Sequence, residues 1–262
     1  MLWLSSPGLP SRAETGLKTS SSRTTSSSLP LARQFFPLPD PSLDKIDPAI
    51  LSSPPGTDIT LSPAACAYLG HLQLTTNDTQ EFYTETFTIR TLELLGFEEP
   101  SVIIPGCSTI PLTICGVIRV ARADICLAKG TFVLLVIIRD EEFVNAEARV
   151  FAEAIAAFQS NNKRREEYGL SPLNAMTIPC ITFSGTRPTF YLVPVTTELN
   201  EAVITGTYPE HTTWVSQCAT AAAHIDVSIG MRCTEYRKLA LKHFLAFKAL
   251  AKSHWVHISE GM

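Results

Sequence analysis

Two apolar runs of strand length, Val117–Lys129 and Phe132–Arg139, meet at Lys129-Gly130 and pass directly into a helical run ending near Gln159. No other stretch restricts the fold so tightly. Phe132 to Ile138 carries no polar side chain, and such a run belongs in a central strand covered on both faces. In the first run a period of two puts Ile118, Val120, Arg122, Asp124 and Cys126 on one face. An acidic cluster, Asp140-Glu141-Glu142, closes the second. Asn145 is placed to cap the helix, whose stripe reads Val150, Phe151, Ala154, Ile155 and Phe158. Glu147 projects onto that stripe and Glu153 away from it. An acid in a first turn gains roughly 0.3–1 kcal/mol from the helix dipole, so Glu147 needs no active site to explain it. Asn161 to Tyr168 is expected to be a solvated end.

Upstream, Asp78 and Glu81 form a capping box for a helix that stops before Gly96. On a helical wheel Glu85 falls between Ile89 and Leu92, beside Phe82. A carboxylate on an apolar arc is costly unless paired, protonated or coordinating a cation. A surface acid beside a broad stripe is the competing reading. Thr109–Cys115 is predicted as a strand, so that three successive strands are antiparallel neighbours. Thr177–Phe183 and Phe190–Val195 pair around Ser184-Gly185, with Pro194 marking an edge or an end. Thr197–Thr205 is a short helix, and a last helix runs from Thr234 to about Ser253 on a stripe of Tyr236, Leu239, Ala240, His243, Phe244 and Phe247. His243 on that stripe reads as a hydrogen-bonded core histidine.

Residues 1–61 are Ser/Thr-rich and then proline-punctuated, a composition that cannot bury a core, so they are expected to form a disordered leader before a folded domain at 62–262. Phe35-Phe36 and Ala49-Ile50-Leu51 are the apolar patches in it that could dock. Arg12, Lys18, Arg23 and Arg33 against the single acid Glu14 read as a basic tail ahead of a transit peptide. With 45% hydrophobic and 18% charged residues overall, the chain suits one globular α/β domain behind that leader. A net charge of −4 argues against a surface wholly devoted to nucleic acid. Seven scattered cysteines without C-x-x-C point to an intracellular compartment, nuclear or cytoplasmic before mitochondrial. No apolar run reaches the roughly 18 residues of a membrane span.

No P-loop, G-x-G-x-x-G, G-x-S-x-G or H-E-x-x-H occurs. His254 and His257 lack cysteine partners in zinc spacing. What remains is a set of acids: Glu85 on a helix, Asp124 on a strand, and Asp140 with Glu141 after the next. Mg²⁺ takes oxygen ligands, and carboxylates converging from neighbouring strands and a helix are the means by which a protein supplies them. Arg237, Lys238, Lys242, Lys248 and Lys252 on the last helix fit phosphate-backbone contact, and equally a solvated face.

LELLGF (Leu92–Phe97), IPLTICG (Ile110–Gly116), AEAIAAFQ (Ala152–Gln159), Met176–Thr196 and the tail KSHW (Lys252–Trp255) resemble a family of uncharacterised fungal proteins related to the PD-(D/E)XK nucleases, across roughly residues 78–256. The resemblance implies a restriction-endonuclease-like α/β core, a mixed central sheet flanked by helices. It also implies Mg²⁺-dependent phosphodiester hydrolysis with Asp124 as the strand acid and Glu85 as the helix acid. The departure lies on the second strand. Ile138 stands where the family pattern has an acid, and Asp140 where it has a lysine. Lys129 or Arg139 would have to replace that lysine, and Asp140 or Glu141 the missing ligand. A degenerate site is therefore expected, with hydrolysis lost or weak. The alternative is a non-catalytic module that binds protein or nucleic acid.

Overall fold

A computed structural model describes residues 41–56, 61–77, 81–106, 108–139, 146–220 and 227–258. Its helices and strands run in the order α1 Pro48–Ser52, α2 Pro63–Asn77, α3 Glu81–Leu94, β1 Ser108–Ile114, β2 Val117–Ala123, β3 Ile125–Lys129, β4 Phe132–Arg139, α4 Ala146–Glu167, β5 Ala175–Ser184, β6 Arg187–Thr196, α5 Thr197–Thr205, β7 Ser216–Ala219, and α6 Thr234–Ile258, which a 3₁₀ turn at Val227–Arg232 precedes. The main sheet is mixed and five-stranded, ordered β3-β4-β5-β6-β7. Only β4 and β5 are parallel, and α4 is the crossover between them. Every residue of β4 is buried, the outcome its unbroken apolar run demands.

Several local signals act as their chemistry dictates. The Ser62 hydroxyl accepts the Ala65 N–H at the start of α2. Gly96 takes a φ of 65° at the end of α3, where its own N–H and that of Phe97 reach back to the carbonyls of Glu93 and Leu92. Pro194 lies beyond the reach of β7, which covers only Thr189–Leu192, so its missing N–H removes no rung.

Several expectations need correction. Val117–Lys129 is not one strand: the chain leaves a separate β1–β2 hairpin at Asp124 and enters the main sheet as β3. The alternation therefore does not carry through Asp124. The face with Ile118, Val120 and Arg122 is exposed, whereas Cys126 is buried. The three expected strands are four, paired two by two, β1 with β2 and β3 with β4, in different sheets.

On α3 the buried side is Phe87, Thr88, Thr91 and Leu92; Phe82 is 66% exposed, and Glu85 and Ile89 are half-buried. The threonines bury because each hydroxyl bonds the carbonyl four residues back, Thr88 to Thr84 and Thr91 to Phe87, which a hydropathy wheel does not anticipate.

On α4 the wheel fails in the opposite sense. Glu147 is exposed and Glu153 buried. The helix is held between the main sheet and the β1–β2 hairpin, so it has two covered sides and not one stripe. Its alanines at 152, 154, 156 and 157 permit that close approach. Asn161 and Arg165, expected in solvent, are buried as well. Asn161 accepts the Val133 N–H and donates to the Val133 carbonyl, both at 2.8 Å, and Arg165 donates to the carbonyls of Ser171 and Ile258.

Packing also begins before residue 62. Ile46 and Ile50 are buried, and α1 docks on α6. Pro48 starts α1 because a proline at a first helical position removes no helix hydrogen bond, and Asp47 caps it through the Ala49 N–H. Prolines in this stretch thus open an element that their number was expected to forbid. The expected caps Asp78 and Asn145 fall outside the described residues.

Candidate functional site

Asp124 sits in the bend where the chain changes sheets. The last β3–β4 rung pairs Ile125 with Ile137, and the next is made by a side chain: Asp124 Oδ2 accepts the Arg139 main-chain N–H at 2.7 Å. Asp124 Oδ1 accepts Arg139 Nη2 at 3.2 Å, and Arg149 Nη2 approaches Oδ2 at 3.4 Å from the first turns of α4. Arg149 also donates to the main-chain carbonyl of Arg139 at 2.9 Å. One carboxylate thus joins three elements, the sheet junction, the end of β4 and the crossover helix.

One turn along α4 from Arg149 lies Glu153, the residue the sequence reading had sent to solvent. It is 3% exposed. Its carboxylate receives the Arg122 main-chain N–H, yet Oε2 is buried without a hydrogen-bond partner among the described residues. Desolvation pushes its pKa from 4.5 up to about 7, with Arg149 pulling the other way and Asp124 adding to the rise. Cys180 on β5 faces the same acid and is itself pushed up, by burial first and by Glu153 second. The signal that could have found Glu153 is the alanine-rich run around it, which marks a helix buried on two sides.

A sign follows for stability. Glu153 binds its proton more tightly folded than unfolded, so its contribution is fully present below pH 4.5 and is lost as pH rises through about 7. Native protein is expected to lose stability across that interval with a slope of up to about 1.4 kcal/mol per pH unit from this one group. Glu153→Gln should flatten the slope and be the more stable chain at pH above 7. Urea midpoints measured across the interval check this. Parallel native and variant curves would contradict it.

Of the other expected site residues that are described, Arg139 joins Asp124, whereas Glu85 and Lys129 do not. Glu85 is half-buried on α3, and no hydrogen bond or ion pair among the described residues links it to Asp124. Lys129 is at the far end of β3, about 16 Å away at a rise of roughly 3.3 Å per residue. Arg139 does reach Asp124, as its ion-pair partner. Ile138 is fully buried in β4. Asp140 and Glu141 lie outside the described residues, as does Glu142. Among the described residues no three His, Cys, Asp or Glu side chains are grouped to hold a metal ion.

The basic face of α6 is partly spent inside the molecule. Arg237, expected among phosphate-contacting residues, is fully buried and donates to main-chain carbonyls. Lys248 binds the carbonyls of Leu95 and Gly96 at the C-terminal end of α3, Lys252 pairs with Glu99, and Lys238 pairs with Glu235 on its own helix. Lys242 is half-buried. His243 is buried against Phe190, its Nδ1 3.2 Å from the Thr220 hydroxyl. No helix among the described residues is long and apolar enough to cross a membrane. A scan against protein-family models, a search of curated proteins and a search of solved structures each found no match.

Proposed function

We propose that this chain is a restriction-endonuclease-like protein whose hydrolytic centre has become a structural clasp, and that it works by binding instead of cutting. The observation carrying this reading is the company Asp124 keeps. Its oxygens are taken by one main-chain N–H and two guanidinium groups. Mg²⁺ does not fit there: two fixed positive charges already neutralise the carboxylate, and a divalent ion beside them would meet repulsion. Ile138, where the family pattern has an acid, offers no ligand, and desolvation favours the neutral form of Glu153.

The order of elements supports the ancestry. A helix (α3) precedes a hairpin, then a second hairpin, then a crossover helix leading to a parallel strand. The switch of sheets at Asp124 is the feature that departs from a simple three-strand meander.

Purified full-length protein incubated with Mg²⁺ or Mn²⁺ is expected to leave single- and double-stranded DNA and RNA intact, and Mn²⁺ is expected not to raise its melting temperature. Metal-dependent cleavage abolished by Asp124→Asn would overturn the proposal.

A further inference from the structure

The β1–β2 hairpin has an unfinished edge. Antiparallel pairing alternates between residues whose N–H and C=O face the partner strand and residues whose groups face away. Thr113 faces away from β2, because its N–H and C=O are both bonded by the Gln159 side chain of α4, at 2.8 and 3.1 Å. Its partner in register is Ile118, and the next outward pair is Pro111 with Val120, where proline has no N–H to give. The outward main-chain groups of β2 are therefore those of Ile118, Val120 and Arg122.

The fold itself closes both ends of this arrangement. Gln159 covers β1 at Thr113, while Glu153 takes the Arg122 N–H and Arg149 reaches the Arg122 carbonyl. Between them nothing among the described residues bonds the outward groups of Ile118 and Val120. These are also the hairpin's most exposed aliphatic side chains, at 74% and 62%. Proteins ordinarily blunt such an edge with lysine, proline or a covering loop, and an uncovered one is a template for an added strand.

We infer that the free edge of β2 at Ile118–Val120 is a docking site for an extended acidic peptide segment of a partner protein, added as a further strand beside the hairpin. Charge complementarity selects the occupant. Arg119 and Arg122 are exposed on this strand, and no ion pair among the described residues engages either side chain. An incoming strand would meet Ile118 and Val120 on one face and Arg119 on the other, so apolar residues alternating with acids are matched to it. A second copy pairing β2 with β2 in the register centred on Arg119 would oppose arginine to arginine, and in every register it would bring like charge to like. The chain's own first 38 residues carry four basic residues and one acid and would also bring like charge. The inference rests on the hairpin alone, and it stands or falls independently of whether the chain cuts nucleic acid.

Fluorescence anisotropy of the full chain with a labelled, end-blocked valine–glutamate alternating peptide tests it. The expected result is saturable binding, about tenfold or more tighter than for the valine–lysine counterpart. Methylating alternate amide nitrogens of the peptide should abolish binding. Val120→Lys should weaken it by about tenfold with an unchanged melting temperature. Arg119→Glu should reverse the preference towards the lysine peptide, and it keeps the test decisive if the Val120 variant fails to fold. No binding, equal binding of both peptides, or equal binding of the methylated peptide would overturn the inference. So would sedimentation showing a dimer that Val120→Lys dissociates, since the edge would then belong to a second copy.

Discussion

Arg237→Ala is expected to cost about 4 kcal/mol of folding stability, because it leaves several buried carbonyls without a donor at roughly 1–3 kcal/mol each. The guanidinium is 0% exposed and donates to four carbonyls in two distant segments: Ile50 and Ser53 at the end of α1, Met231 and Arg232 before α6. A helix as short as α1 is not stable by itself, and Arg237 takes carbonyls that its last turn leaves unbonded. The variant should therefore release Asp47–Ser53 as well as shift the global midpoint. Hydrogen exchange at the Ile50 and Ser53 amides, now bonded to Asp47 and Ala49, reports the first and urea denaturation the second. Arg237→Lys should restore only part of the loss, because one ammonium cannot span carbonyls from two segments. A global loss below about 1 kcal/mol would show that the cluster is not what fastens α1.

Asp124→Ala should cost about 3 kcal/mol, because it leaves the Arg139 main-chain N–H without this acceptor and removes the carboxylate that two guanidiniums share. The diagnostic feature is insensitivity to metal. A clasp loses the same stability with or without Mg²⁺, whereas a ligand-bearing acid loses more when the ion is present. Asp124→Asn should fall between native and alanine, since the amide oxygen can still accept from Arg139 but carries no charge. Urea midpoints of the three chains, each measured with and without Mg²⁺, decide the matter. A metal-dependent difference between native and alanine chains would refute the clasp.

Much of the local structure was legible. The unbroken apolar run of β4 announced a doubly covered strand, the Ser184-Gly185 turn announced the β5–β6 hairpin, and Gly96 announced the end of α3. The site was legible only as a list of acids. Asp124 was singled out as a metal-holding acid, but its surroundings, a main-chain N–H and two guanidiniums, were not foreseen. Extending one period of two through Asp124 hid a change of sheet, since a bend leaves the same apolar pattern on both sides of it. Assigning α4 one buried stripe exchanged the roles of Glu147 and Glu153. The wheel assumes a helix lying on a single surface, and this helix lies between two. Treating Arg237 as a surface cation erred because charge alone says nothing about whether carbonyls wait nearby.

The residue pattern by itself determined where most strands, turns and helices form, because period, proline, glycine and capping groups act within a few neighbours. Tertiary structure decided what each polar side chain meets. Asp124 finds Arg139 15 residues away, Asn161 finds Val133 28 away, and Arg237 finds Ile50 187 away. Such partners are chosen by how layers stack, and that stacking leaves the β1–β2 hairpin outside the main sheet, with the outward edge at Ile118 and Val120 unbonded among the described residues.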